Sequence, residues 1–139
     1  MKKKHLRFLL LCAFLSGCHS DTDYVYRSYY EYINNSSAEI RIESYYYHES
    51  GIQDSIFTIP RNGTFRVGFE TEGDFLPPFS WSGIPGTLSS AVVHQGNKRI
   101  EYEWKNNGAI YMEENYDIVE KSKYRRVLSF TFKDDDFVD

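Results

Sequence analysis

Hydrophobic and polar residues alternate with a period of two along much of the chain after residue 23. In one such run Ile40, Ile42 and Ser44 share one side, and charged residues occupy the other. Alternation of this kind places one face of a β-strand on a core and the other in solvent. We therefore predict seven strands, which cover residues 24–33, 38–47, 55–59, 64–70, 88–94, 99–104 and 124–133.

The same alternation predicts which side chains face the core. In two further runs the predicted inward residues are Phe65, Val67 and Phe69, and then Ile100, Tyr102 and Trp104. Adjacent tyrosines such as Tyr29 and Tyr30 must point to opposite faces, so one of the two lies outside the core. An outward tyrosine either binds a glycan or peptide by ring stacking or stabilises the sheet through cross-strand aromatic pairs.

Turn-forming residues separate the runs, and Pro60–Gly63 gives the strongest of these signals because Gly63 tolerates a positive φ. Short strands spaced by turns predict an all-β fold, a two-sheet antiparallel sandwich (immunoglobulin-like or similar) of about seven strands. The 12 tyrosines and 10 phenylalanines agree, since aromatic side chains fit a pleated, half-buried surface. Residues 109–123 are the least regular and hold either a helical turn or a long connection.

The first eighteen residues carry a targeting signal. Basic residues precede the apolar run Phe8–Leu15, and small residues then lead to Cys18. This order is that of a secretory signal, which is too short to span a membrane. Leu15-Ser16-Gly17-Cys18 also resembles the lipobox of bacterial lipoproteins, which implies that fatty acids such as palmitate on Cys18 anchor the protein. The predicted segments are the signal peptide 1–17, the acylated cysteine with a short acidic tether 18–23, and a single β domain 24–139.

Removal of residues 1–17 changes the composition of the chain. It leaves 139 − 17 = 122 residues, which is enough for one domain. The signal holds four of the sixteen Lys and Arg residues, so the mature net charge is 12 − 20 = −8. This acidic balance excludes nucleic acid as a partner and argues against a basic patch for lipid headgroups. Cys12 is lost with the signal and Cys18 carries the lipid, so we predict no disulfide.

A wider resemblance covers most of the chain loosely. After the lipobox and the Asn-rich turns, the segments Ile59–Thr64 and Phe130–Phe137 look like those of small Bacteroidetes-type lipoproteins of unknown function. The resemblance implies an outer-membrane location. His19 follows Cys18 at the position where Asp commonly signals retention in the inner membrane, so the sequence carries no such signal. Ser20–Asp23 resembles a surface-export signal and suits a solvated tether equally well. Both the cell surface and the periplasmic face therefore stay open.

One long connection is a candidate binding segment. Residues 71–87 lack strand periodicity and carry Phe75, Phe79 and Trp81 beside three prolines. Prolines limit the freedom of a loop, and aromatic rings are common anchors at interfaces. The alternative is that the loop folds back and its rings plug the open end of the sandwich, since exposed aromatic patches are uncommon in monomers.

Few residues indicate catalysis or modification. Glu101 and Glu103 share a strand face about 6.5–7 Å apart, which suits the paired carboxylates of a glycosidase but also an ordinary charged surface. Asp54-Ser55-Ile56 resembles an O-glycosylation acceptor of Bacteroidetes-type bacteria, with Ser55 as the acceptor. His48 and His94 lack companions at ligand spacing, and Asp134–Asp136 reads as a solvated tail. No metal or cofactor is predicted.

These observations lead to one expected function and two alternatives. We expect a lipid-anchored envelope lipoprotein that serves as a non-enzymatic binding or accessory module, with a glycan or an envelope protein as its partner. One alternative is a glycan-hydrolysing enzyme that uses Glu101 and Glu103. The other is a structural component that assembles through exposed edge strands.

Overall fold

The computed structural model describes residues 24–45, 53–73, 79, 90–106 and 108–137. Their strands are β1 Tyr24–Asn34, β2 Ile40–Tyr45, β3 Gln53–Ile59, β4 Thr64–Gly73, β5 Ser90–Gln95, β6 Lys98–Glu103, β7 Asp117–Lys121 and β8 Arg125–Phe132. Single 3₁₀ turns lie at Trp104–Asn106, Ala109–Tyr111, Glu113–Asn115 and Asp134–Asp136.

The strands form two four-stranded sheets. Sheet A has the order β4-β1-β8-β7 and sheet B the order β3-β2-β5-β6. All neighbouring strands run antiparallel except β1 and β8, which are parallel. The predicted all-β sandwich is confirmed, with eight strands in place of about seven. The parallel pair places the first and last strands of the domain side by side in the centre of sheet A.

The eighth strand, β7, lies within the irregular stretch 109–123. All five of its residues are exposed, and a bulge between Ile118 and Glu120 interrupts its pairing with β8. A strand without a buried face has no hydrophobic alternation, so the pattern missed it. The sequence left a helical turn and a long connection open for this stretch, and two 3₁₀ turns precede the strand.

The predicted inward faces are correct for most strands. Ile40, Ile42 and Ser44 are fully buried, and Val67 is buried between the partly buried Phe65 and Phe69. The prediction for Trp104 is wrong, because β6 ends at Glu103. Trp104 instead begins a 3₁₀ turn, where 51% of its surface is exposed.

Tyrosine and phenylalanine rings dominate the core. Tyr116, which follows the third 3₁₀ turn, lies between the rings of Tyr30, Phe79 and Phe130 at centroid distances of 6.0, 5.4 and 5.3 Å. Its hydroxyl donates to the Ile110 carbonyl at 2.7 Å. Burial raises the pKa of the Tyr116 hydroxyl, because the phenolate would lose its hydration. The core is therefore aromatic, and the polar tip of its central ring is hydrogen-bonded.

Sheet A has two chemically different ends. At one end, which we call the tether end, Tyr24 pairs with Gly73, and the turn between β7 and β8 holds Lys123 and Tyr124. At the other, the far end, β1 and β8 finish beside the turn at Asn62 and Gly63. The N-terminal segment enters the domain at the tether end.

A buried asparagine organises the far end. The Asn34 side-chain amide donates to the carbonyls of Ala38 and Ile59 at 2.8 and 2.9 Å. Its oxygen accepts from the backbone N–H and the hydroxyl of Ser36 at 2.9 and 2.6 Å. Asn34 is completely buried, so these hydrogen bonds tie the β1–β2 connection to the end of β3.

Candidate functional site

The proposed lipidation residue, Cys18, lies outside the described residues, and so does the signal segment before it. The first described residue is Tyr24, six positions after Cys18, and it already belongs to β1. Six extended residues span at most about 20 Å. None of the helical turns in the described ranges is long and apolar enough to cross a membrane.

The tether end carries an exposed aromatic cluster. The rings of Tyr24 and Tyr124 stack at 5.0 Å with an interplanar angle of 13°, and Tyr26 lies 5.5 Å from Tyr124 beneath them. The ammonium nitrogen of Lys123 lies 4.9 Å from the Tyr124 ring centroid and 5.6 Å from that of Tyr24. Tyr24 is 44% exposed, whereas Tyr26 is buried. A buried ring thus supports two rings and a cation that face solvent.

The candidate binding loop divides between described and undescribed residues. Phe75 and Trp81 lie outside the described residues. Phe79 packs edge-on against Tyr30 at 5.7 Å and contacts Tyr116. This position is the one expected if the loop folds back onto the open end of the sandwich. Binding through Phe75 and Trp81 stays a prediction.

The outward tyrosine of β1 is covered by cations. Tyr30 points into the core and Tyr29 to the outer face of sheet A. The guanidinium carbons of Arg66 on β4 and Arg125 on β8 lie 5.5 and 5.2 Å from the Tyr29 ring centroid. Tyr29 thus joins three neighbouring strands through cation–π contacts, as in the strand-stabilising interpretation.

The predicted glycosylation acceptor, Ser55, lies within the paired part of β3 opposite Ser44. The two hydroxyl oxygens are 2.7 Å apart and share a hydrogen bond, and Ser55 is only partly exposed. An attached sugar would remove the Ser55 hydroxyl hydrogen, so Ser55 could then only accept from Ser44, and the sugar would have to fit beside a buried residue. O-glycosylation of Ser55 therefore stays a prediction that the local geometry does not favour for the folded chain.

The paired carboxylates, Glu101 and Glu103, lie on the outer face of the edge strand β6. Glu103 accepts a hydrogen bond from the Asn106 side chain, and Glu101 lies opposite Val92 of β5. The two carboxylates thus share a strand face, as predicted. Among the described residues, no group of three or more His, Cys, Asp or Glu is arranged to hold a metal ion.

A cluster that the sequence did not predict lies on the same outer face of sheet B, around Glu43. The Glu43 carboxylate forms an ion pair with Arg41, accepts from the Tyr45 hydroxyl at 2.8 Å and lies 3.5 Å from the His94 ring nitrogen Nε2. Burial acts to raise the pKa of Glu43, but the hydrogen bond from Tyr45 and the charge of Arg41 outweigh it, so the pKa lies below its ordinary value.

Three members of this Glu43 cluster, Arg41, Glu43 and Tyr45, share one face of β2, and the register of β2 with β5 adds His94. Arg41 pairs with His94, and Glu43 with Val92, across the β2–β5 ladder. Both carboxylate oxygens of Glu43 are already engaged, which is the arrangement of a structural charge network. Cross-strand partners of this kind cannot be identified before the register of the sheet is known.

The acidic tail Asp134–Asp136 forms a 3₁₀ turn that attaches to the sandwich. The Asp134 carboxylate accepts from the backbone N–H and hydroxyl of Ser37 at 2.9 and 2.8 Å and from the Gln95 side chain. All three aspartates are exposed, as expected for a solvated tail, but the sequence did not predict that Asp134 is hydrogen-bonded to the sandwich. The hydrogen bond from the Ser37 backbone, followed by that from its hydroxyl, holds the pKa of Asp134 below its ordinary value.

We expect this attachment to weaken in acid. Because the pKa of Asp134 is lower in the folded chain, its contribution to stability is present above the ordinary Asp pKa of about 3.9 and is lost as the pH falls through the lowered folded value. When the pH is lowered from neutral to about one unit below the ordinary Asp pKa, the Asp134→Asn variant should lose less stability than the wild type. Urea midpoints at both pH values measure this difference. Asp135→Asn is the matched control, and an equal flattening in both variants would contradict the assignment.

Comparisons of the chain with protein-family models, with curated proteins and with solved structures find no match.

Proposed function

We propose that the protein is a lipid-anchored lipoprotein of a bacterial outer membrane that acts as a non-enzymatic binding or accessory module. The observation that carries this proposal is the junction between the lipobox and the domain. Cys18 precedes the first strand residue, Tyr24, by only six positions, and Tyr24 begins a strand in the centre of sheet A. The signal thus ends where a folded domain begins, as a lipid anchor on a short tether requires.

Acyl chains on Cys18 would hold this domain firmly. Each buried methylene contributes about 0.8 kcal/mol, and a single chain gives only marginal binding. Lipoproteins of the type that the lipobox resembles carry two or three chains, so the attachment would be permanent on the time scale of the cell.

The rigidity of the β-sandwich supports the proposed binding role. The parallel β1–β8 pair joins both ends of the domain in one sheet, and the aromatic core fixes both sheets. Binding segments are commonly loops that a rigid scaffold positions. The proposed partners are envelope glycans or envelope proteins, and nucleic acid is not proposed because the mature chain is acidic.

Replacement of the acylated cysteine tests the anchor. We expect the wild-type protein to fractionate with membranes and to resist extraction by salt, and the Cys18→Ala variant to lose most of its membrane association. The Cys12→Ala variant is a matched control, because it removes the other cysteine without touching the lipobox. Retention of Cys18→Ala in the membrane fraction, at the level of Cys12→Ala, would contradict the proposal.

The enzyme alternative has its own test. If the purified protein hydrolyses envelope glycans, Glu101→Gln and Glu103→Gln should abolish that activity, since each carboxylate would have a separate role. The Glu72→Gln variant, which removes an exposed carboxylate from β4 of the other sheet, is the control. Binding of the same glycans without hydrolysis would support the non-enzymatic module.

Protease treatment of intact cells decides the face of the membrane and hence the partner class. Digestion in intact cells would place the domain on the surface and direct the search to external glycans or host molecules. Protection in intact cells with digestion after lysis would place it in the periplasm and direct the search to proteins of envelope assembly.

A further inference from the structure

We infer that the tether end of sheet A is a membrane-contacting surface, with the rings of Tyr24 and Tyr124 and the ammonium group of Lys123 in the headgroup layer of the bilayer. This inference rests on the proposed lipid anchor at Cys18. It adds an orientation and a contact surface that anchoring alone does not specify.

The length of the tether restricts which surface faces the bilayer. Cys18 and Tyr24 are at most about 20 Å apart along the chain. β1 has 11 residues and so spans about 33 Å from the tether end to the far end. The tether is thus shorter than β1, so the domain cannot stand on its far end with Tyr24 turned away from the bilayer that holds Cys18. Only the tether end and the adjoining flanks are within reach.

The chemistry of the tether end suits the interface between lipid and water. Tyrosine is enriched at that depth because its ring is apolar and its hydroxyl is polar. Lysine extends its apolar stem along such rings and keeps its charge in the headgroup layer. Tyr24 and Lys123 are exposed, and Tyr124 is partly so. Tyr24 stacks on Tyr124, and the Tyr124 ring contacts the buried Tyr26 at a tilt of 48°, so both rings are held in place and little conformational entropy is lost on contact.

Charge at the tether end is nearly balanced, despite the acidic total. Lys121 and Lys123 lie at the β7 side of this end and Glu72 at its β4 side. The two neighbouring arginines, Arg27 and Arg125, form ion pairs with glutamates of adjacent strands. The mature charge of −8 is a total for the chain and therefore does not describe this surface. We expect the contact to depend on the rings more than on anionic lipid.

The far end differs in composition. The described large apolar residues that are well exposed are Tyr24, Ile56, Trp104, Ile118 and Val119, and none of them belongs to the far end. The 3₁₀ turn at the far end instead holds three consecutive aspartates, Asp134–Asp136. An acidic turn avoids an anionic leaflet. Composition and tether length thus favour the same orientation.

Site-specific labelling of the acylated protein tests the orientation. Ser122→Cys at the tether end or Asn97→Cys at the far end is labelled with an environment-sensitive fluorophore, because acylated Cys18 does not react with maleimides. The protein is reconstituted in phosphatidylcholine vesicles that contain a lipid with a nitroxide headgroup. We expect a blue shift and strong quenching at position 122, and neither effect at position 97.

Variants separate contact from mere proximity. In the Ser122→Cys protein, Tyr24→Ser combined with Lys123→Gln should abolish the blue shift. The tether still keeps the label close to the bilayer, but without the ring contact the fluorophore is surrounded by water. Ile56→Ser removes an apolar residue of similar exposure in the middle of β3 and should leave the shift unchanged. Unchanged urea midpoints establish that both variants fold. Addition of phosphatidylglycerol should alter the shift little if the rings dominate.

The outcomes distinguish the two proposals. Intact mass of the purified protein reports acylation before reconstitution. A chain without acyl groups would overturn the proposed anchor, and the orientation with it. An acylated chain whose label at position 122 shows no blue shift in pure lipid would overturn the contact surface alone, and a partner protein would then be the better occupant of the tether end.

Discussion

Replacement of Tyr116 by alanine is expected to lower the free energy of unfolding by about 3–5 kcal/mol, the range found when large aromatic side chains are removed from cores. Tyr116 is buried among Tyr30, Phe79 and Phe130, with ring centroids within 6.0 Å. Truncation removes the ring that joins these side chains and leaves a cavity. Urea unfolding followed by circular dichroism measures the loss.

The Tyr116→Phe variant is the matched control for the ring. It keeps the aromatic contacts and removes the hydroxyl that donates to the Ile110 carbonyl and shares a hydrogen bond with the Tyr32 hydroxyl at 3.3 Å. We expect it to lose about 1–2 kcal/mol, since the typical net value of each hydrogen bond is about 1 kcal/mol. Equal losses in Tyr116→Ala and Tyr116→Phe would mean that the hydroxyl, and not the packing of the ring, carries the effect. A loss below about 1 kcal/mol in Tyr116→Ala would contradict the position of the ring in the core.

The second large effect is expected at Asn34. Replacement by alanine removes all four side-chain hydrogen bonds of this buried amide. The Ile59 carbonyl and the Ser36 N–H lose these partners, whereas the Ala38 carbonyl keeps the Ser36 hydroxyl at 3.0 Å. Each buried polar group left unpaired costs about 1–3 kcal/mol, so we expect the two groups together to cost about 2–6 kcal/mol. The measurement is again the urea midpoint, read with the slope of the transition to detect any change in the unfolded state.

The neighbouring residue provides the control for Asn34. Asn35 is exposed, and its backbone N–H donates to the Phe132 carbonyl, a bond that alanine retains. Asn35→Ala should therefore stay within about 0.5 kcal/mol of the wild type. If Asn34→Ala and Asn35→Ala lost equally little stability, water would be replacing the Asn34 amide, and the far end would be open to solvent. If Asn34→Asp were as stable as the wild type at neutral pH, the two donated bonds would be unimportant.

The alternation of polar and apolar residues predicted the fold wherever a strand has one buried face. It identified the buried side of β2 from Ile40, Ile42 and Ser44, because side chains repeat every second residue. It missed β7, whose residues are all exposed, and it extended β6 to include Trp104. Exposed edge strands and strand ends are fixed by backbone pairing, which the side-chain pattern does not record.

The candidate sites were less predictable because they depend on which strands are neighbours. The contact between Tyr24 and Tyr124 joins residues 100 positions apart and requires the parallel β1–β8 pair. The network of Glu43 with His94 likewise requires the β2–β5 register. Neither pair stands out in the sequence. Cys18, by contrast, is proposed from a local sequence pattern alone, and it lies outside the described residues.

The lipid anchor is the central claim, and the mass of the protein isolated from its native membrane tests it most directly. We predict an intact mass equal to that of residues 18–139 plus two or three fatty acyl groups, with the added mass on the N-terminal peptide that contains Cys18. An unmodified polypeptide, or one whose N-terminus lies at another residue, would contradict the anchor.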